Sequence, residues 1–150
     1  MTNNLSLWFL KKQSKRLGIS DQRFFDNIVK WSKFVRHIES DNNPKASAET
    51  TSAKGVYQFT DASVQTAKNR MFNMGFEKED VRDIDNNPHK WNDEQADCMF
   101  FANVFAQRGS DKFIKKIGKG DLEAMKQAYY KFHHTDPDIP TKQRVDNIIV

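Results

Sequence analysis

Asp21-Gln22-Arg23-Phe24-Phe25-Asp26-Asn27-Ile28-Val29-Lys30-Trp31-Ser32-Lys33-Phe34-Val35-Arg36-His37-Ile38-Glu39-Ser40 is the stretch on which the fold turns, and Asp41-Asn42-Asn43-Pro44 follows at once. Its apolar positions Phe24, Ile28, Trp31, Val35 and Ile38 step by four, three, four and three, the stripe of an amphipathic helix. Asp21 is expected to cap this helix, and the Asp-Asn-Asn-Pro run stops it near Ser40. Glu39 falls on the face of Ile28, Ser32 and Val35. A carboxylate there is partly desolvated and meets the negative end of the helix dipole. Both effects raise a pKa, as a general acid near neutral pH requires. The plain alternative is a Glu at a helix end that faces water.

Outward from this helix the chain reads as mostly α. Residues 5–17 predict a short basic helix ending at Gly18. Residues 45–60, rich in Ser, Thr and Ala, predict an irregular loop or small β-hairpin around Val56-Tyr57-Gln58-Phe59. Asp61 starts a helix through about Met74, with Gly75 as its stop. Residues 76–91 are loop-like, with a helical turn near 77–82. Asn92 caps a helix with the stripe Cys98, Phe101, Ala102 and Phe105, and Gly109 ends it. A short helix covers 111–117. Asp121 caps the next, with the stripe Leu122, Met125, Tyr129 and Phe132, and Asp136-Pro137 breaks it. A last helix runs from about Pro140. No repeat, low-complexity tract or linker interrupts the 150 residues, so one domain is expected, with 1–20 as a basic helical extension.

Composition narrows the class. Apolar residues make up 37 % and charged residues 29 %, the balance of a soluble globular chain. The single Cys98 excludes an internal disulfide. Leu7-Trp8-Phe9-Leu10 is too short for a secretory signal core and Lys11-Lys12 follows it, so neither a signal peptide nor a membrane span is expected. Residues 1–38 hold eight Lys and Arg against two Asp, a net +6, leaving −2 for the rest of a chain of net charge +4. A basic N-terminal third suits an anionic polymer such as cell wall, lipopolysaccharide, a membrane surface or nucleic acid, or is a solvated helix face. A nucleic-acid role needs exposed stacking side chains, whereas Trp8, Phe9, Trp31 and Phe34 mostly fall at core spacing.

Two runs carry a resemblance. Glu39-Ser40-Asp41-Asn42-Asn43-Pro44-Lys45-Ala46-Ser47 and Ser52-Ala53-Lys54-Gly55-Val56-Tyr57-Gln58-Phe59-Thr60 together resemble the soluble lytic transglycosylases of the lysozyme superfamily. The family's first motif is Glu-Ser at a helix end before a polar loop, and its second is Gly, two bulky residues and Gln. The Gly-x-Tyr-Gln form is also similar to transglycosylase-type endolysins of lambdoid phages. The third motif, Ala-Tyr-Asn-Ala-Gly, is met by Ala128-Tyr129-Tyr130-Lys131-Phe132, which keeps Ala-Tyr and departs at Tyr130 and Phe132. Ile139-Pro140-Thr141 and Val145-x-x-Ile148 resemble the closing helix, with Arg144 where the family has Tyr. The resemblance spans about 30–150.

It implies a lysozyme-like α+β fold, no cofactor and no metal, and cleavage of the β-1,4 bond between N-acetylmuramic acid and N-acetylglucosamine. One Glu, here Glu39, protonates the glycosidic oxygen. The muramic C6 hydroxyl then attacks its own C1 and returns a proton, leaving a 1,6-anhydro end. Tyr129, Ser40 and Tyr130 are the expected supporting residues, Tyr129 by a hydrogen bond to Glu39. Gln58, Tyr57, Gly55 and Ser47 are the expected glycan contacts, Gly55 also for its backbone freedom. A hydrolytic muramidase of the same fold needs a second carboxylate, for which Glu49 is the candidate and Asp41 and Asp61 lie nearby. A noncatalytic wall-binding or structural virion module is the reading from another class. His133-His134 with His37 and His89 offers no metal set, because adjacent residues of a helix face different ways.

The expected partner is peptidoglycan, without nucleic acid or stable membrane insertion, and the expected state is a monomer. A wall enzyme without a signal fits a phage-encoded protein that leaves through a holin-type pore or travels with other virion proteins.

Overall fold

The computed structural model describes residues 4–150, and for Asp21 its backbone alone. Among these residues the chain is mostly helical. In order run α1 (Leu5–Leu17), α2 (Asp21–Ser40), α3 (Asp61–Asn73), α4 (Lys78–Arg82), a 3-10 turn at Pro88–Lys90, α5 (Asp93–Phe105), α6 (Asp111–Gly118), α7 (Leu122–Phe132) and α8 (Ile139–Ile148). No helix among them is long and apolar enough to cross a membrane.

α5 is the centre. Its residues 98–105 are buried without interruption, the pattern of a helix covered on every side. α1 and α3 pack against it, and α2 packs against α1, α6 and α8. The predicted α2 stripe is buried throughout: Phe24, Ile28, Trp31, Val35 and Ile38 all reach the core. Burying each such side chain contributes about 1.5–3 kcal/mol. Trp31 also donates its indole N–H to the Met125 carbonyl of α7 at 3.0 Å, which leaves no buried donor without a partner there.

The basic N-terminal segment joins the same core through Phe9 and Leu10. Ser6 fastens it to α5 by hydrogen bonds from its backbone N–H and its hydroxyl to Glu94, at 2.6 and 3.0 Å. Residues 1–3 of the expected extension lie outside the described residues. Trp8 is exposed and Phe34 half-buried, whereas Phe9 and Trp31 are core. Lys11, Lys12, Lys15, Lys30 and Lys33 are exposed.

Helix starts follow local chemistry. Asn92 and Gln95 form a reciprocal capping box on α5, and Asp121 accepts the Ala124 N–H of α7. α2 begins at Asp21 with Ser20 in the cap position; the Asp21 side chain expected to cap it lies outside the described residues. Two helices end earlier than their predicted stops. α5 ends at Phe105 instead of Gly109, and α7 at Phe132, four residues before Asp136. The second difference decides the geometry of the site.

Residues 45–60 form an irregular insert. Two isolated antiparallel bridges, Ser47 with Lys54 and Lys54 with Phe59, are its β structure, and no continuous strand is present among the described residues. Gly55 makes its tight course possible. It has φ +81°, and a Cβ there would lie 3.0 Å from Pro88 Cβ and 3.3 Å from the Pro88 carbonyl oxygen.

Candidate active site

The end of α2 meets the end of α7. α2 closes with Asp41 in the left-handed region at φ 55°, and this sharp exit sends the chain into the insert directly after Glu39-Ser40. Ser40 fixes the junction. Its hydroxyl donates to the Val56 carbonyl at 2.8 Å and accepts the Asn43 N–H at 3.2 Å, so it secures the loop.

The Glu39 side chain is 8 % exposed, and each of its carboxylate oxygens faces an imidazole. His133 Nε2 lies 3.2 Å from Oε2, and His134 Nδ1 lies 3.3 Å from Oε1. Both histidines follow the last residue of α7. His133 has φ −125° and ψ −56°, outside helical geometry, so the two side chains no longer diverge as neighbours on a helix do. The expectation that they face different ways is therefore corrected. It extended helical periodicity one turn too far. Among the described residues no group of three or more His, Cys, Asp or Glu is disposed to hold a metal ion. The Tyr57 carbonyl, 2.8 Å from His133 Nε2, keeps a hydrogen on the nitrogen that a metal would need bare.

The protonation of Glu39 also differs from expectation. Burial pushes its carboxyl up. Hydrogen bonds from His133 and His134, with their positive charge, outweigh burial and hold it well below the usual carboxylate range. The free protein therefore carries Glu39 ionised at neutral pH, and the raised value read from the helix end is corrected. The negative end of α2 is offset in the same way: Arg144 of α8 donates from Nε to the Ile38 carbonyl at 3.0 Å. His134 is raised by its hydrogen bond to Glu39, against a smaller effect of burial.

Tyr129 is buried on the inward face of α7, and its hydroxyl meets His134 Nδ1 at 3.0 Å. Burial, then the charge and hydrogen bonding of Glu39, raise its phenol. Tyr129 thus bears on Glu39 directly as well as through His134. Tyr130 lies at the edge of the cluster. It is half-buried, and its charged neighbours are Asp146 and Glu123. It reaches the site through Tyr129, their ring centres 5.5 Å apart, since the next residue on a helix turns away by about 100°.

The glycan contacts expected in the insert separate into inner and outer groups. Tyr57 is fully enclosed, stacked on Phe100 with ring centres 4.5 Å apart. Its hydroxyl donates to Asp97 Oδ1 at 2.6 Å and accepts from Arg36 Nε at 3.2 Å, and Arg36 also pairs with Asp97. At 1 % exposure the ring has no face for a sugar, so the expected glycan contact at Tyr57 is corrected to a core role. Gln58 is half-buried at φ 55°, and its side-chain amide N–H₂ braces the loop by donating to the Gly55 carbonyl at 2.9 Å. Gly55 approaches Pro88 of its own chain. Ser47 is exposed, 3.0 Å from His89 Nε2. His89 Nε2 also lies 3.0 Å from the Ala46 carbonyl, so it carries a hydrogen and is no base for Ser47. Glu49 lies on the exposed bend of the insert.

No protein-family model, no curated protein and no solved structure matches this chain.

Proposed function

We propose that this chain cleaves the glycan strands of bacterial peptidoglycan as a lytic transglycosylase, with Glu39 as acid and then base. One observation carries the reading. A buried carboxylate ends a core helix beside a polar insert, and proton-carrying side chains hold both of its oxygens. Such a constellation is built for proton transfer. The two antiparallel bridges of the insert and the helices around it support a lysozyme-like arrangement.

In this reading Glu39 gives a proton to the glycosidic oxygen after N-acetylmuramic acid, and that bond breaks. The C6 hydroxyl of the same sugar bonds to C1, and its proton passes to the Glu39 carboxylate. Water is not consumed, and the nucleophile has the proximity of an intramolecular group. Ser47, which is exposed, and Gln58, which is half-buried, are the glycan contacts in this reading; Ser40 and Gly55 hold the loop that carries them. No cofactor enters. The setting is a phage-encoded wall enzyme, a monomer released through a holin-type pore or carried with other virion proteins.

A second reading, a noncatalytic wall-binding or structural virion module, is favoured by the closed state of the carboxylate, whose two oxygens are both engaged. Mass spectrometry of the products released from purified peptidoglycan by the wild type and by Glu39→Gln separates the readings. 1,6-Anhydro ends, absent for the variant, support the transglycosylase. Reducing ends, heavier by one water, move the assignment to a hydrolytic muramidase that uses Glu49. Wall binding without products from either protein supports the module.

A further inference from the structure

If Glu39 is ionised at rest, the proton it must donate comes from somewhere, and the two histidines are not equivalent sources. His133 is locked. Its side chain is 5 % exposed and sits edge-on to Tyr57, Phe59 and Phe100. Its Nε2 lies 2.8 Å from the Tyr57 carbonyl, which only accepts. Giving up that hydrogen would leave a buried carbonyl without its donor. His133 is therefore a positioning residue that ties Glu39 to the insert.

His134 has the opposite properties. Its side chain is 31 % exposed, so the ring spans from the buried carboxylate to solvent. Its Nδ1 faces two groups that tolerate either protonation state. Glu39 Oε1, at 3.3 Å, accepts when ionised and donates when protonated. The Tyr129 hydroxyl, at 3.0 Å, donates or accepts by rotating its hydrogen. Nδ1 can lose and regain a proton here without leaving a buried polar group unpaired.

We propose that His134 is the proton donor to Glu39, so that the acid of this site is a Glu39–His134 pair. This rests on the glycan-cleavage reading above. In this proposal the resting pair is an imidazolium beside a carboxylate, with Nδ1 3.3 Å from Oε1. The proton moves from Nδ1 to Oε1, and Glu39 passes it to the glycosidic oxygen as the C1–O bond breaks. The C6 hydroxyl bonds to C1 and its proton returns to Glu39, from which Nδ1 recovers it. The pair ends as it began, and no net proton is taken up. The groups that bear on His134 are Glu39 of α2, Tyr129 of α7, and Asp138 and Arg144 at and within α8. Asp138 favours the imidazolium and Arg144 opposes it.

The test follows two readouts on the full chain from pH 4 to 9. The first is muropeptide release by the wild type, His134→Gln and His133→Gln. The second is NMR titration of the His134 ring in the wild type and in Glu39→Gln. The proposal expects His134→Gln to lose about 10²-fold in rate at neutral pH, the size of a lost acid–base partner. The variant should recover activity toward acid pH, where Glu39 takes its proton from water. The His134 titration should move to lower pH in Glu39→Gln. Wild-type rate and pH profile in His134→Gln would overturn the pairing, as would an unmoved His134 titration in Glu39→Gln. If the wild type releases no products, the glycan-cleavage reading fails on that result, and the proton-donor role falls with it; a shifted titration then leaves the ion pair alone.

Discussion

Arg36 Nε lies 3.2 Å from the Tyr57 hydroxyl, so a cation one turn before Glu39 on α2 grips the centre of the insert. Asp97 of α5 completes the contact, accepting from Tyr57 and pairing with Arg36. Three segments far apart in sequence are joined by this one buried polar cluster. The position of the insert over Glu39 therefore depends on charges that sit outside the carboxylate site.

Tyr57→Phe removes the hydroxyl and keeps the ring. With Arg36 and Asp97 each short of a partner, the loss should be about 1–3 kcal/mol. Arg36→Met should cost more, about 3 kcal/mol, because it leaves a mostly buried carboxylate unpaired. Urea unfolding of both variants measures this. Equal stability of all three proteins, with impaired glycan binding in Tyr57→Phe, would return Tyr57 to the sugar.

Gly55→Ala tests the tight course of the insert. The backbone at φ +81° costs a side-chain-bearing residue about 1–2 kcal/mol, and the new methyl would press on Pro88. The variant should unfold at lower urea and release less product. Gly109→Ala is the control for the conformational cost alone, since it has φ +85° with nothing near the added methyl. Gly55→Ala should be the more damaging of the two.

Stability should depend on pH through Glu39 and His134, with opposite signs. Glu39 is lowered from 4.5, so its contribution is present above that value and is lost as pH falls toward about 2. His134 is raised from 6.5, so its contribution is complete below that value and is lost as pH rises through its folded value. The interaction therefore stabilises most between about pH 4.5 and 6.5. Unfolding free energies from pH 3 to 9 should show this maximum in the wild type. Glu39→Gln should flatten both sides. A maximum unchanged in the variant would mean that other groups produce it.

Helical periodicity made α2 legible because its five stripe residues obey one rule of burial. Starts were legible too, since Asn92 and Asp121 cap with chemistry that acts within three residues. The ends of α5 and α7 were less so, because their stop signals sit several residues beyond the last hydrogen-bonded turn. That gap hides the histidines: a stop at Asp136-Pro137 places His133-His134 in the helix, whereas the proximity of Thr135-Asp136-Pro137 is the available sign that helical directions end there. The pairing of Arg36 with Asp97 had no local signal at all. It joins residues sixty-one apart, and neither lies in a motif. The ionised state of Glu39 was missed for the same reason. Burial and the helix dipole act along α2, whereas the groups that overrule them arrive from the turn after α7.

Under the glycan-cleavage reading proposed above, Glu49 separates a transglycosylase from a muramidase of the same arrangement. A hydrolase with two carboxylates needs the second about 5–10 Å from the first, facing the sugar. Glu49 lies on an exposed bend, whereas Glu39 is buried against the histidines that follow α7. Glu49→Gln should then leave both the amount and the 1,6-anhydro ends of the released muropeptides close to wild type, while Glu39→Gln abolishes them. The exposed site makes this comparison clean, because a substitution there has little effect on folding. Loss of cleavage in Glu49→Gln with retained stability would instead mean that the insert closes over the bound strand and brings a second carboxylate to the reaction, the behaviour of a hydrolase.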